Sequence, residues 1–589
     1  MKKRLFCLSA CTCLLLACMP AARAQNPVVQ TIYTADPAPL VYHDTLFLYT
    51  GHDEDRSTWF VMKDWHLYAT TDMVNWTDRG SPLSLHTFAW AEKDAWAGHC
   101  VQRNGKFYFY APVNARGAGM SIGVAVADRP AGPFRDLLGK PLLTGGWGYI
   151  DPCVFMDNDG QAYLYWGNPH LYYVKLNPDM QSYDTTVGIV RVPLTDAAFK
   201  WRILEAHHTF AWAGAINGAA SHSIRNKADN AYDWYVSATD KATGQPVIAV
   251  GKGDKAIGPF RDVLGKPFVT AHCEGRNINP TVLTDEAGQR WLTWGTDQLW
   301  QVKLNPDGIS YDSSYGIREV PASRQQWFAE KITATVNSTE KRVTTYEEGP
   351  WLYKRNRQYY LFYPAGGVPE HLAYSTATAP TGPWQYRDTV MDIIRQGGAF
   401  TNHPGVVDYK GKTYLFYHNG ALPGGGGFNR SVCVDELHFA ADGSVRRVTP
   451  SAGLQQATGK LNPYRRVEAE TIAWEQGVET AGNDSTGIYV TDISNGDYIK
   501  VREVDFGSGA VSFEARVAPV AGGTIEIRTG SADGPLLGTC VVNRTGNPPA
   551  WTTASCRLTK ATGVHDLFLV FRGSGNELFR FDWWKCTRK

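Results

Sequence analysis

Five polar residues stand at the openings of short β-rich runs: Asp36 in "ADPAPLVY", Asp151 in "IDPCVFMD", Asn279 in "INPTVLTD", Glu348 in "EGPWLYKR" and His403 in "NHPGVVDY". Three of the five are carboxylates. Two carboxyl groups across a pocket can do acid and base work on a glycosidic bond, one protonating the leaving oxygen and the other activating water. The acid must keep its proton near neutral pH, and a nearby negative charge enforces that by raising its pKa. Such chemistry has roles for three carboxylates. Taken singly, each has a plainer explanation, since Asp before Pro starts turns and Glu348 has the company of Glu347 on a polar stretch. Their return at equivalent openings favours chemistry over turns.

Those openings belong to a repeat. Residues 150–179 and 278–307 align without gaps and agree at 16 of 30 positions. "GPFRDLLGKP" at 132 returns as "GPFRDVLGKP" at 258, and "TFAWA" occurs at 87 and 209. About 110 residues, 87–196, therefore recur as 209–321. A looser unit runs through the whole region: a small polar residue and Pro, a β-rich run, a turn, then an aromatic strand such as "TLFLYTG", "AYLYWG" or "KTYLFYH". Seven such openings, at intervals of about 50 to 70 residues, predict propeller blades over 30–455. The innermost strand of each blade lines the axis, so the five polar residues converge on one funnel. Similar blades close into one ring, which predicts seven blades. The other arrangement is a five-bladed ring with the copied pair outside it. In a seven-bladed ring the blade beside Glu348 opens with Asn279, which carries no charge, and Asp151 lies three blades away.

From Asn462 onward the texture changes to short alternating runs such as "YRRVEAETIAWEQG" and "LFRFDWWKC". They predict a separate β-sandwich over 463–589. The fold class expected is all-β, a β-propeller followed by a jelly-roll sandwich.

Four quoted stretches, "YTADPAPLVYHDTLFLYTGHDE", "IDPCVFMDNDGQAYLYWG", "EGPWLYKRNRQYYLFY" and "TNHPGVVDYKGKTYLFYHNGALPGGGGFNRSV", resemble glycoside hydrolase family 43. The resemblance implies an inverting glycosidase of the β-xylosidase or α-L-arabinofuranosidase kind, acting on plant cell-wall polysaccharide or oligosaccharide without a catalytic cofactor. It implies Asp36 as general base, Glu348 as general acid and Asp151 as the residue that tunes the acid. It implies His403 and Arg430 in the substrate pocket, with "HDE" at 52–54 on its rim. Family members usually have five blades, so this chain departs from them by its duplication. That departure, with Asn279, supports an alternative: an impaired propeller that binds glycans without cutting them, with Asn279 as a hydrogen-bonding contact.

The tail resembles a family 6 carbohydrate-binding module through "VEAE", "SNGDYIKVREVDFG" and "FDWWKC". That resemblance implies a structural calcium ion on Glu468, Glu470 and Asp582, oxygen donors suited to a hard cation. It implies Tyr489 and Trp551 as sugar-stacking residues, while Asp492 and Arg580 stand where an aromatic and an Asn are expected.

Residues 1–24 read as an export leader, with "MKKR", an apolar run and "ARA" before Gln25. The apolar run is short for a bilayer span. The expectation is a secreted or periplasmic protein, or one lipid-anchored through Cys18 in "LLAC". Lys plus Arg total 58 and Asp plus Glu 57, and this balance gives no footprint for nucleic acid. Of the cysteines beyond the leader, Cys540 and Cys556 could pair across neighbouring strands in an oxidising compartment.

Overall fold

The computed structural model describes residues 26–193, 215–226, 228–240, 246–254, 261–270, 280–284, 288–294, 300–319, 346–483, 485–546 and 549–588. Asn279, Cys18 and the leader lie outside the described residues. The described chain is strands and turns, with one short 3-10 turn at Leu85–Thr87. It divides into two compact units, residues 1–146 with 403–589, and residues 147–402.

The first unit holds three propeller-type sheets and the sandwich. The first sheet is an antiparallel meander of Thr34–Tyr42, Thr45–Asp53, Met62–Thr70 and Trp76–Asp78. The second is built on His99–Arg103, Lys106–Ala115 and Gly119–Ala127, and the seventh on Gly405–Tyr409, Lys412–Asn419 and Ser431–Glu436. The innermost strand Thr34–Tyr42 lies against Gly405–Tyr409 and against His99–Arg103. Leu46, Leu48, Tyr68 and Trp76 of the first sheet share a core with Tyr414, Phe416 and Val432 of the seventh. A strand covered on both faces carries an unbroken apolar run, and "YLFY" in 414–417 is buried at every position.

The sandwich packs two antiparallel sheets. One runs through Glu479–Asn483, Gly487–Thr491, Phe579–Thr587, Ala510–Pro519 and Thr552–Ala561. The other runs through Trp474–Gln476, Tyr498–Asp505, Val564–Arg572, Gly523–Thr529 and Leu536–Val542. Trp584, Phe513, Phe571 and Phe581 fill the space between them. The sandwich is not a loose appendage of this unit. Its segment Thr471–Ile472 pairs with Trp76–Asp78 and so extends the first sheet. Asn75 fixes the same seam, accepting from Arg502 N at 2.8 Å and donating to Arg502 O at 2.9 Å.

The second unit holds four sheets. The third is Cys153–Met156, Ala162–Trp166, Tyr172–Leu176 and Val190–Arg191. The fourth and fifth begin with Ala215–Arg225 and Thr281–Thr284, and the sixth with Trp351–Arg355. The inner strand Cys153–Met156 of the third sheet lies against Trp351–Arg355 of the sixth. Tyr163, Tyr165 and Tyr173 share a core with Tyr359, Leu361, Tyr363 and Trp384. The fourth and fifth sheets pack on each other, Tyr235, Ile248 and Phe268 against Leu292, Trp294 and Val302.

This corrects the expected seven-bladed ring. Among the described residues seven sheets form before the sandwich, yet the third neighbours the sixth, and the copied pair keeps a core of its own. The physical reason is which aromatic faces meet. Tyr165 donates its hydroxyl proton to Pro380 O of the sixth sheet's connection, and Tyr346 donates to Gly167 O at 2.7 Å. These bonds close the third sheet onto the sixth and bypass the copies.

Candidate active site

Asp36 interrupts its strand. The pairing register shifts between Ala35 and Ala38, and Asp36 has a φ of 52°. A β-bulge of this kind re-aims a side chain, and a left-handed conformation at a non-glycine residue stores strain typical of functional sites. The bulge turns the Asp36 carboxylate into a buried cluster. Gly51 leaves room for it: a Cβ there would sit 2.0 Å from Met62 Cε and 3.6 Å from Asp36 Oδ2.

Arg430 organises that cluster. Its Nη1 donates to Asp36 Oδ1 at 2.9 Å. Its Nε and Nη2 grip the buried Asp53 carboxylate at 2.9 and 2.8 Å, and its own backbone N–H donates to Asp53 Oδ2 at 2.9 Å. The two-pronged grip fixes the guanidinium plane, as a single ammonium would not, and Phe60 lies under it at 4.9 Å. His418 Nδ1 accepts from Asp36 N at 3.3 Å. His403 Nδ1 lies 3.9 Å from Asp36 Oδ1.

Burial pushes the Asp36 carboxyl up to about 6, against the pull of Arg430 and with a push from Asp53. Burial, helped by Arg430 and His99, drives His403 down to about 3, so the imidazole is neutral at physiological pH. The set can therefore present a carboxylate whose basicity is well above that of a free aspartate, held in place by a fixed cation.

Asp151 and Glu348 come together in the second unit. Asp151 repeats the local device of Asp36, a pre-proline aspartate with a φ of 57°. Its Oδ2 accepts from Gly349 N at 3.0 Å, the residue after Glu348. Glu348 Oε2 accepts from Asn168 Nδ2 at 2.6 Å. A further carboxyl, Glu370, is buried and accepts from Asn402 N at 2.7 Å. Burial raises its pKa well above the ordinary value, and the charges of Glu348, Glu347 and Asp151 push the same way. So the aspartate beside the backbone of Glu348 and Gly349 is Asp151 of the first copy, as the packing of the third sheet on the sixth requires.

Sequence reasoning missed Asp53, His418, Asn168 and Glu370 as parts of these clusters. Asp53 was within reach, because it lies in the "HDE" rim stretch. Its partner Arg430 is 377 residues away, and nothing local marks Glu370.

The expectations for the sandwich fare differently. Tyr489 and Trp551 do meet, 5.5 Å apart and edge to face at 72°. Arg580 lies over the Tyr489 ring at 6.0 Å and Arg516 over the Trp551 ring at 5.3 Å. Two of the three acids expected to hold calcium pair with arginines. Glu468 Oε2 is held by Arg466 Nη2 at 2.7 Å, and Asp582 by Arg516 at 2.5 Å and by Arg466 at 3.4 Å. The third, Glu470, keeps a buried Oε2 without a partner. Cys540 and Cys556 do meet, their sulfurs hydrogen-bonded to each other without a disulfide.

Buried carboxylates at the mouths of antiparallel sheets, one bonded to an arginine and another beside a second acid, are an arrangement suited to a β-propeller glycosidase. Comparison with known proteins agrees. Residues 24–216 and 200–445 match the glycosyl hydrolases family 43, and residues 468–588 match the carbohydrate binding module family 6. The chain belongs to glycosyl hydrolases family 43 and carries a family 6 module. An arabinoxylan arabinofuranohydrolase of Bacillus subtilis (strain 168) is 28% identical over 96% of this chain and 92% of its own length. One of Paenibacillus polymyxa is 31% identical over 79% of this chain and 77% of its own. A solved family 43 arabinoxylan arabinofuranohydrolase from Bacillus subtilis, in complex with cellotetraose, superposes with a TM-score of 0.60 at 26% identity, covering 96% of this chain and 98% of that one. The chain is thus a glycoside hydrolase with a propeller and a C-terminal sandwich module. Among the described residues no helix is long and apolar enough to cross a membrane.

Proposed function

We propose that this glycosidase removes terminal α-L-arabinofuranosyl groups from arabinoxylan with inversion, and that it is exported to meet that substrate. The observation that carries the reading is the Arg430 clamp, which holds Asp36 buried with its carboxyl raised to about 6. In the proposed reaction Asp36 takes a proton from water as the water attacks the anomeric carbon. Glu348 gives its proton to the departing glycosidic oxygen. The C–O bond to the leaving group breaks, and the released sugar has the opposite anomeric configuration. Asp151, beside the backbone of Gly349, acts as a positioning and tuning residue for Glu348: its charge raises the cost of ionising the acid. Neutral His403 and the Arg430 fork hold the reacting groups in place.

Arabinofuranose is favoured over xylose by the two arabinoxylan arabinofuranohydrolases, which align over most of the chain. Relatives that include a xylosidase/arabinosidase of Bacteroides ovatus, 26% identical, keep xylose release as a second activity to test. The binding-only alternative drew on the duplication and on Asn279 standing beside Glu348, and the contact between Asp151 and Gly349 weighs against the second of these.

The experiment is hydrolysis of arabinoxylan by the full chain, with arabinose and xylose quantified separately. Arabinose released by the wild type, and a loss of about 10²–10⁴-fold in Asp36→Asn and in Glu348→Gln, is the expected result. Xylose as the main product overturns the substrate assignment. Full activity in either variant overturns the role given to that residue. N-terminal sequencing of the protein from the medium or periplasm tests export, with Gln25 expected first.

A further inference from the structure

One cluster of side chains is distinct from the Asp36–Arg430 and Asp151–Glu348 groups. Asp64 and His66 lie two residues apart on the strand Met62–Thr70 and so project from the same face. On the neighbouring strand, Gly51 pairs with Trp65 and Thr50 with His66, which brings His52 across from Asp64. Asp64 Oδ1 is 3.0 Å from His52 Nδ1, and its Oδ2 is 3.3 Å from His66 Nε2. The two imidazole rings are 4.9 Å apart at 70°. One donor atom from each of the three lies within 4.8 Å of the others, and no other trio of His, Cys, Asp or Glu among the described residues does so.

Asp64 bridges the two imidazoles, while the other ring nitrogen of His66, Nδ1, is buried without a partner, an uncommon state for a buried polar atom. The three side chains keep 17–23% of their surface exposed, and His52 and Asp64 line a cavity of about 820 Å³ shared with Glu54, His86, Glu92 and Asp94. Two imidazoles and one carboxylate are the donor set of zinc-type ions, whereas calcium and magnesium take oxygen ligands. A tetrahedral zinc centre with ligand bonds of about 2.0–2.2 Å sets its ligand atoms roughly 3.3 Å apart. The observed 3.0 and 3.3 Å separations meet that with small side-chain rotations.

We propose that His52, Asp64 and His66 form a binding site for a divalent transition-metal ion of the zinc class, with the fourth coordination position facing the cavity. The ion ties the second strand of the first sheet to the third. All three ligands come from two adjacent strands, so the site is in place before the ion arrives.

The test is calorimetric titration of zinc into the chelator-stripped full-length protein, repeated for His66→Gln and Asp64→Asn. Hydrolysis of an aryl arabinofuranoside checks that each variant is folded. The expected result is about one zinc per chain for the wild type, and at least about a tenfold weaker affinity in each active variant. Cobalt is a second probe: the wild type should show the strong visible absorption of tetrahedral Co2+, and the variants should lose it. Wild type that takes up neither metal overturns the proposal. So does uptake that both variants retain, since the ion would then sit on other histidines.

Discussion

Asp36 carries the account at the scale of single residues. A general base must be ionised to accept a proton. Its carboxyl is raised to about 6, so the ionised fraction grows as pH rises through 6. The acid limb of kcat/KM should therefore fall near pH 6, and activity should be lost below it. Asp53 is one of the charges that raise Asp36, and Asp53→Asn should move that limb to lower pH. A pH–rate profile with no inflection between 5 and 7 contradicts this.

The linkage has the opposite sign for stability. Between the ordinary value of 3.8 and about 6 the folded state binds the extra proton, so stability from this group is greatest at low pH and falls as pH rises through that window. Asp36→Asn should thus be inactive yet melt higher than wild type at pH 8, a trade of activity against stability. Arg430→Lys keeps the charge and loses the fork on Asp53, and kcat/KM should drop by about 10²-fold. Asp36, Asp151, Glu348 and His403 stand out in the sequence because each opens a repeat unit. Arg430 stands out only through resemblance. Asp53 lies in the "HDE" stretch, but its partner is distant in sequence, and nothing local marks Glu370.

At the scale of elements, the repeat was plain and the neighbours were not. Alternating aromatics and turn residues specify a four-stranded sheet locally. Which sheet lies beside which depends on side faces such as Tyr165 and Trp384, and sequence order does not encode that. Leu361 is fully buried in this third-to-sixth core, and Leu361→Ala should cost about 2–5 kcal/mol in a denaturant titration. The seam between sandwich and first sheet was equally hidden. It rests on the Thr471–Ile472 pairing and on Asn75. Asn75→Ala should cost about 1–3 kcal/mol and split a single thermal transition into two, with the module melting apart from the propeller sheets.

At the scale of the whole molecule, the duplicated pair of sheets has its own core around Tyr235, Phe268 and Trp294. Asp151, not a residue of the second copy, meets Gly349. A chain in which residues 194–345 are replaced by a short flexible linker should still fold and hydrolyse an aryl arabinofuranoside. Its loss of activity would mean that the copied pair contributes to catalysis.

The most direct test of the central claim compares two leaving groups in Glu348→Ala. Arabinoxylan needs a protonated leaving oxygen, whereas a dinitrophenyl arabinofuranoside departs without help. The account predicts a loss of about 10²–10⁴-fold on arabinoxylan and near wild-type turnover of the activated glycoside, with Asp36→Asn failing on both. Equal losses on the two substrates in Glu348→Ala would contradict it, because Glu348 would then not be the proton donor.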